Sequence, residues 1–171
     1  MTNLRLERLW IYFLTYSCLG WVLEVFFVAM TGGGFTNRGF LFGPYCPIYG
    51  IGCLMIIAAA KNMTRKPLQF ILSSMIICGI LEFSTSVIME FLFHERWWDY
   101  SNFFFQIDGR VCLETLVPFG LLSYLVTGRL HPLLEQWISC FHRNTLHTMV
   151  RYSSVLFLAD FITTLWRQFL S

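Results

Sequence analysis

Between Trp10 and Met30 the chain carries one charged residue, Glu24, in a run otherwise free of charge. A segment of about 20 mostly apolar residues is long enough to cross a bilayer as a helix. It leaves few alternatives, because lipid supplies no partners for backbone N–H and C=O groups and the segment must satisfy them internally. Four more segments of related character follow, at about Tyr45–Ala60, Leu68–Phe93, Val111–Thr127 and Thr148–Phe169. None alternates with the period of two that marks a strand. The expectation is an all-α, polytopic transmembrane bundle of about five helices, forming a single integral membrane domain over residues 1–171.

Composition agrees. Hydrophobic residues make up 56% of the 171-residue chain and charged residues 13%, against roughly a quarter charged in soluble domains. A water-soluble fold of this size leaves too much surface wet to hide that apolar content. The net charge of +2 comes with no basic run, so nucleic acid is not an expected partner. The first apolar segment exceeds the length of a signal-peptide h-region, and no small-residue cleavage site follows it cleanly, so it reads as a retained helix.

Positive charge sets the orientation. Arg5 and Arg8, then Lys61, Arg65 and Lys66, then Arg129, Arg143 and Arg151 fall on one side of the five segments. Arg38, Arg96, Arg110 and Arg167 fall on the other. The richer side is expected to be cytoplasmic, which places the N-terminus there. Between about His131 and Arg143, Leu133, Leu134, Trp137, Ile138 and Phe141 recur at helical spacing among polar residues. That pattern predicts an amphipathic helix on the cytoplasmic interface.

Ionisable residues inside apolar segments are costly and mark candidate sites. Glu24, Glu82, Glu90, Glu114 and Asp160 all fall at or beyond the midplane on the outer side in this topology. Glu82, Ser86 and Glu90 step by four and share a helix face; Arg110 and Glu114 are also four apart. Arg38, Arg96, Arg110 and Asp99 come from the two outer loops and can reach these carboxylates. The candidate binding residues are therefore Glu24, Arg38, Glu82, Glu90, Arg96, Asp99, Arg110 and Glu114, forming either a water-accessible pocket or a set of interhelical salt bridges. Asp160 reads as a helix-packing residue, His94 as interfacial, and Trp97, Trp98 and Tyr100 as part of the aromatic belt. Pro118 is expected to open the fourth helix near Glu114. The glycine-rich loop Gly32–Gly52, with Pro44 and Pro47, is expected to pack tightly and to start the second helix irregularly.

The six cysteines, Cys18, Cys46, Cys53, Cys78, Cys112 and Cys140, show no CxxC pair and no metal-ligand spacing, so they read as small hydrophobes; a Cys46–Cys112 disulfide is the alternative. No metal or cofactor is expected. There is no Walker A loop, no GxSxG elbow and no HExxH motif, so a catalytic assignment has no residues to rest on.

The stretches NRGFLFGPYCPIYGIG (Asn37–Gly52), LEFSTSVIMEFLFHERWWDYS (Leu81–Ser101) and GRVCLE (Gly109–Glu114) resemble the CmpB-like, Putative ABC-transporter type IV (ABC transporter permease) family. The resemblance runs from about Leu9 to Arg129 and implies a multipass protein of the bacterial inner membrane. It carries over no functional residues, and the region after Leu130 lies outside it. Three functions compete: a permease-like transport component that needs self-association or a partner ATPase subunit, a small membrane enzyme acting on a lipid headgroup, and a structural or regulatory membrane protein.

Overall fold

The computed structural model describes residues 2–30, 39–60 and 66–170. Arg38 and most of the glycine-rich stretch before it lie outside the described residues. The order is α1 (Thr2–Met30), α2 (Pro47–Ala60), α3 (Pro67–Phe93), β1 (Gln106–Ile107), β2 (Val111–Cys112), α4 (Leu113–Leu125), a π-helical turn (Val126–Leu130), α5 (His131–Ser139) and α6 (Arg143–Leu170). Among the described residues the regular structure is helical, apart from one small hairpin.

The helices follow the apolar runs, but their ends do not. α1 begins at Thr2, well before Trp10, and α6 begins at Arg143, before Thr148. Polar first turns are compatible with helix, so hydropathy alone marks where the chain turns apolar and not where it turns helical. α2 opens on Pro47, a helical start where the missing proline N–H removes no helical bond. It has 14 residues, which at 1.5 Å rise per residue spans only about 21 Å. No break separates the fourth segment from the amphipathic one. α4 passes through the π-turn directly into α5, and the excess residue is absorbed as an i→i+5 bond, His131 N–H donating to the carbonyl of Val126.

Among the described residues, two helices are long and apolar enough to cross a membrane, Leu4–Met30 and Pro67–Phe93, and 22% and 17% of their most apolar windows are buried. The core helix of a soluble domain would be mostly buried; these are mostly not. α6 is of similar length, 28 residues, but carries Arg143, Arg151, Asp160 and Arg167, and α4 is only 13 residues. Of the five spans expected, two helices among the described residues qualify by length and apolar composition.

The chain divides into two compact units, Met1–Ile51 with Leu134–Ser171, and Gly52–Leu133. In the first unit, Ser17 and Gly20 of α1 meet the start of α2. A Cβ on Gly50 would collide with Ser17 Oγ and Phe13, and one on Gly20 with the Tyr49 ring. Small residues here let two backbones approach, as they do in membrane helix pairs. Trp10 and Phe13 of α1 pack edge-on to Phe157 of α6. At the N-terminal ends of those helices, Glu7 Oε1 lies 3.0 Å from His147 Nδ1.

In the second unit α3 and α4 pack along each other, again through small residues. A Cβ on Gly120 would lie 2.6 Å from Met75 Cγ, and one on Gly79 3.5 Å from Leu116. Ile56, Ala60 and Phe70 form a buried cluster backed by Ile77 and Cys78. All six cysteines are free thiols, Cys46 and Cys112 both buried, so the Cys46–Cys112 disulfide does not form.

Candidate functional site

The segment after α3 is ordered by a turn whose signature is Asp108–Gly109. Both residues have positive φ, 54° and 66°, and Arg110 N–H donates to the Ile107 carbonyl at 2.9 Å. Positive φ at both central positions suits an Asp-Gly pair, and Asp108, Gly109 and Arg110 together make a three-residue connection between the strands. The turn pairs Gln106 with Cys112 and Ile107 with Val111. An isolated hairpin of two-residue strands is not stable by itself; side chains from α3 and from the preceding loop hold this one.

Arg110 is the centre of that support. Its side chain is about 10% exposed. Nε donates to Asp108 Oδ2 at 2.8 Å, Nη1 to Ser86 Oγ at 3.0 Å, and Nη2 lies 2.5 Å from Glu90 Oε2. Arg96 Nε reaches the other oxygen of Glu90 at 3.3 Å, and its Nη1 reaches the Asp108 carbonyl at 3.4 Å. Trp98 Nε1 donates to the Arg110 carbonyl at 2.8 Å. Tyr100 N–H donates to the Gly109 carbonyl at 2.7 Å, while its hydroxyl donates to Glu82 Oε1 at 3.0 Å. Asp99 accepts from Ser101 N–H and Oγ at 2.9 and 2.5 Å. A Cβ on Gly109 would lie 2.6 Å from Asp99 Oδ1. The Ser101 bonds hold the Asp99 carboxyl below its usual range, and the Arg110 guanidinium does the same for Asp108. In return, Asp108 and then Glu90 push the Arg110 pKa up. The guanidinium is a fixed cation spread over three acceptors in the planar fork that suits carboxylates.

Of the residues singled out from sequence, this network brings together Glu82, Glu90, Arg96, Asp99 and Arg110, and adds Ser86, Trp98, Tyr100 and Asp108. Trp98 and Tyr100, read as belt residues, supply hydrogen bonds. Glu114 is exposed in the first turn of α4 and does not join. It is four residues from Arg110, but α4 begins only at Leu113, so the helical i,i+4 relation does not apply. Glu24 belongs to the other unit, where it accepts a short hydrogen bond from the Tyr49 hydroxyl. Arg38 lies outside the described residues.

The first unit contains a second constellation, centred on Asp160 of α6. Its Oδ1 accepts from Phe42 N–H at 3.1 Å and Thr164 Oγ1 at 3.1 Å; its Oδ2 accepts from Gly43 N–H at 2.7 Å and the Tyr45 hydroxyl at 2.5 Å. Arg167 lies over the Phe42 ring with Cζ 5.3 Å from its centroid. One carboxylate thus fastens the Phe42–Tyr45 segment to α6. The tight packing expected of that segment is seen at Gly43, where a Cβ would overlap the Tyr45 ring. Among the described residues, no group of His, Cys, Asp or Glu side chains is arranged to hold a metal ion.

No curated protein and no solved structure matches the sequence. A family model described as Putative ABC-transporter type IV matches residues 11–165, a stretch that contains both constellations and runs past Leu130 into α6. The chain belongs to the Putative ABC-transporter type IV family.

Proposed function

We propose that the chain is a multipass membrane component of an ABC-type transport system, working with a partner ATPase subunit or as an oligomer. The observation that carries this is the family match over most of the chain. Large exposed apolar side chains on each of the two helices, Phe26 and Phe27 on α1 and Ile76, Ile80 and Phe91 on α3, support it, since such side chains on a long apolar helix are accommodated by lipid or protein. In this reading α4 and α6 also cross the bilayer, with α2 as a short or re-entrant fifth segment. The N-terminus is cytoplasmic in the bacterial inner membrane. Glu24, Arg38, Glu82, Glu90, Arg96, Asp99, Arg110 and Glu114 lie toward the outer side. With no P-loop in the chain, nucleotide hydrolysis falls to the partner. Isolation from native membranes in lipid nanodiscs tests the reading: an ATPase should copurify, and its turnover should change when this chain is removed. Quantitative recovery of the chain with no ATPase subunit and no effect on any transport flux would overturn it.

A second reading has a specific observation behind it. Arg110 already has Ser86, Glu90 and Asp108 as acceptors, which is the arrangement of an internal brace and favours a structural or regulatory membrane protein. Arg110→Lys separates the two. A brace loses folded protein, and a transport site keeps folded protein but loses flux.

A further inference from the structure

The brace around Arg110 holds out a surface that the ionic network does not use. Immediately before β1 stand Phe103, Phe104 and Phe105. Phe104 is 95% exposed, Phe105 68% and Ile107 65%. This is not a loose coil. Leu113 N–H donates to the Phe105 carbonyl at 2.8 Å, Gly109 N–H to Gln106 Oε1 at 2.5 Å, and Arg110 ties the turn to α3. Between the hairpin and the start of α4 lies an open groove of about 360 Å³, lined by Phe104, Phe105, Ile107, Leu113 and Leu116 among others, with no charged side chain in its wall. That volume is at the low end of the usual range for small-ligand sites, roughly 300–1,000 Å³.

The groove continues into an apolar stripe. Leu113, Val117, Leu121 and Leu125 step by four along α4 and all four are exposed, so they form one helix face. The face runs from the interior of α4 up to the hairpin and ends in the groove. A water-facing hairpin with three large apolar side chains fixed outward would be an association hazard. At a membrane boundary the same side chains sit among acyl chains while the polar turn stays at the headgroup level, as aromatic residues do in interfacial belts.

We propose that this hairpin is a lipid-contact site, in which Phe104, Phe105, Ile107 and Leu113 receive the acyl chain of a phospholipid. The proposal rests on the membrane reading above and deepens it by naming a ligand class and its place. The occupant is a lipid chain because the wall has no charge to match a polar partner and because the groove opens onto the stripe of α4.

The test uses the full chain in phosphatidylethanolamine–phosphatidylglycerol vesicles containing a phospholipid with a diazirine on its acyl chain, photolysed and mapped by mass spectrometry. Adducts are expected on the peptide holding Phe104–Leu113 as well as on span peptides holding Phe26 or Ile80. Phe104→Ser with Ile107→Ser, which leaves the Arg110 brace intact, should lower labelling at Leu113–Leu116 several-fold and leave the span labelling unchanged. Labelled spans with a bare hairpin would overturn the proposal and leave the membrane reading standing. No labelling of either would overturn both. Photo-crosslinking from p-benzoylphenylalanine at position 104 to another protein, with no lipid adduct, would assign the tip to a partner or a second copy and overturn the lipid site.

Discussion

Two loops in this chain are tied to helices by carboxylates, and they are tied differently. The 94–112 segment is held by a cation: Arg110 joins Glu90 and Ser86 of α3 to Asp108 of the turn. The Phe42–Tyr45 segment is held by an anion: Asp160 of α6 accepts four hydrogen bonds, all from neutral donors, two of them backbone N–H groups. Charge pairs gain strength as water is excluded but become a liability when one partner is lost. A carboxylate held by neutral donors keeps its geometry only while it can accept from both oxygens. The two regions should therefore respond to different substitutions.

The largest effect should come from Arg110→Gln. It removes the donor shared by Ser86, Glu90 and Asp108 and leaves Glu90 with Arg96 as its ion-pair partner. Folded yield in membranes should drop several-fold, read by size exclusion of fluorescently tagged protein, while Arg96→Gln should lose less because Arg96 is itself exposed. Equal losses would dissolve the distinction between a central and a peripheral cation.

Asp160→Asn comes next. The amide keeps one acceptor oxygen and turns an NH2 toward donors, so at least one hydrogen bond fails, at a cost of about 1–3 kcal/mol. Thermal unfolding should report it, with Phe42–Tyr45 becoming accessible to protease before the hairpin does. Unchanged stability would show that α6 does not depend on the clasp.

Gly109→Ala is smaller. A non-glycine residue in the left-handed region costs roughly 1–2 kcal/mol, and the added Cβ presses on Asp99 and Ser101. Trp98 fluorescence, sensitive to its bond with the Arg110 carbonyl, should shift. A wild-type spectrum and stability would argue against the turn described.

The smallest effect is with pH. Asp99 and Asp108 have depressed folded-state pKa values, so each contributes stability that is fully present above its unfolded value, about 4, and is lost as pH falls through the lower folded value. Between pH 8 and pH 5 the hairpin should not change, and loosening should appear only in strong acid. Loosening near pH 6 would point to a group other than these two.

How much of this was legible in the sequence differs between the two regions. The four-residue step puts Glu82, Ser86 and Glu90 on one face, and charge matches Arg96 and Arg110 to them. The hairpin leaves no periodic signature, because Phe103–Ile107 is too short for one and its aromatic content matches an interfacial belt equally well. Asp108–Gly109 between Gln106–Ile107 and Val111–Cys112 was the available signal. The Asp160 clasp had none, because its main partners are backbone N–H groups far away in sequence and every residue type carries those. Helix existence followed from apolar runs, while the starts of α1 and α6 and the unbroken passage through the π-turn depended on hydrogen bonding that hydropathy does not encode.

In the proposed membrane reading the hairpin with its arginine brace lies on the outer side and α5 on the cytoplasmic side. The chain supplies its own control, since Cys140, just after α5, is an exposed free thiol. A membrane-impermeant maleimide applied to intact cells should label Asn102→Cys and leave wild-type protein unlabelled until the cells are permeabilised, when Cys140 reacts. Labelling of Cys140 in intact cells, with Asn102→Cys protected, would contradict the claim.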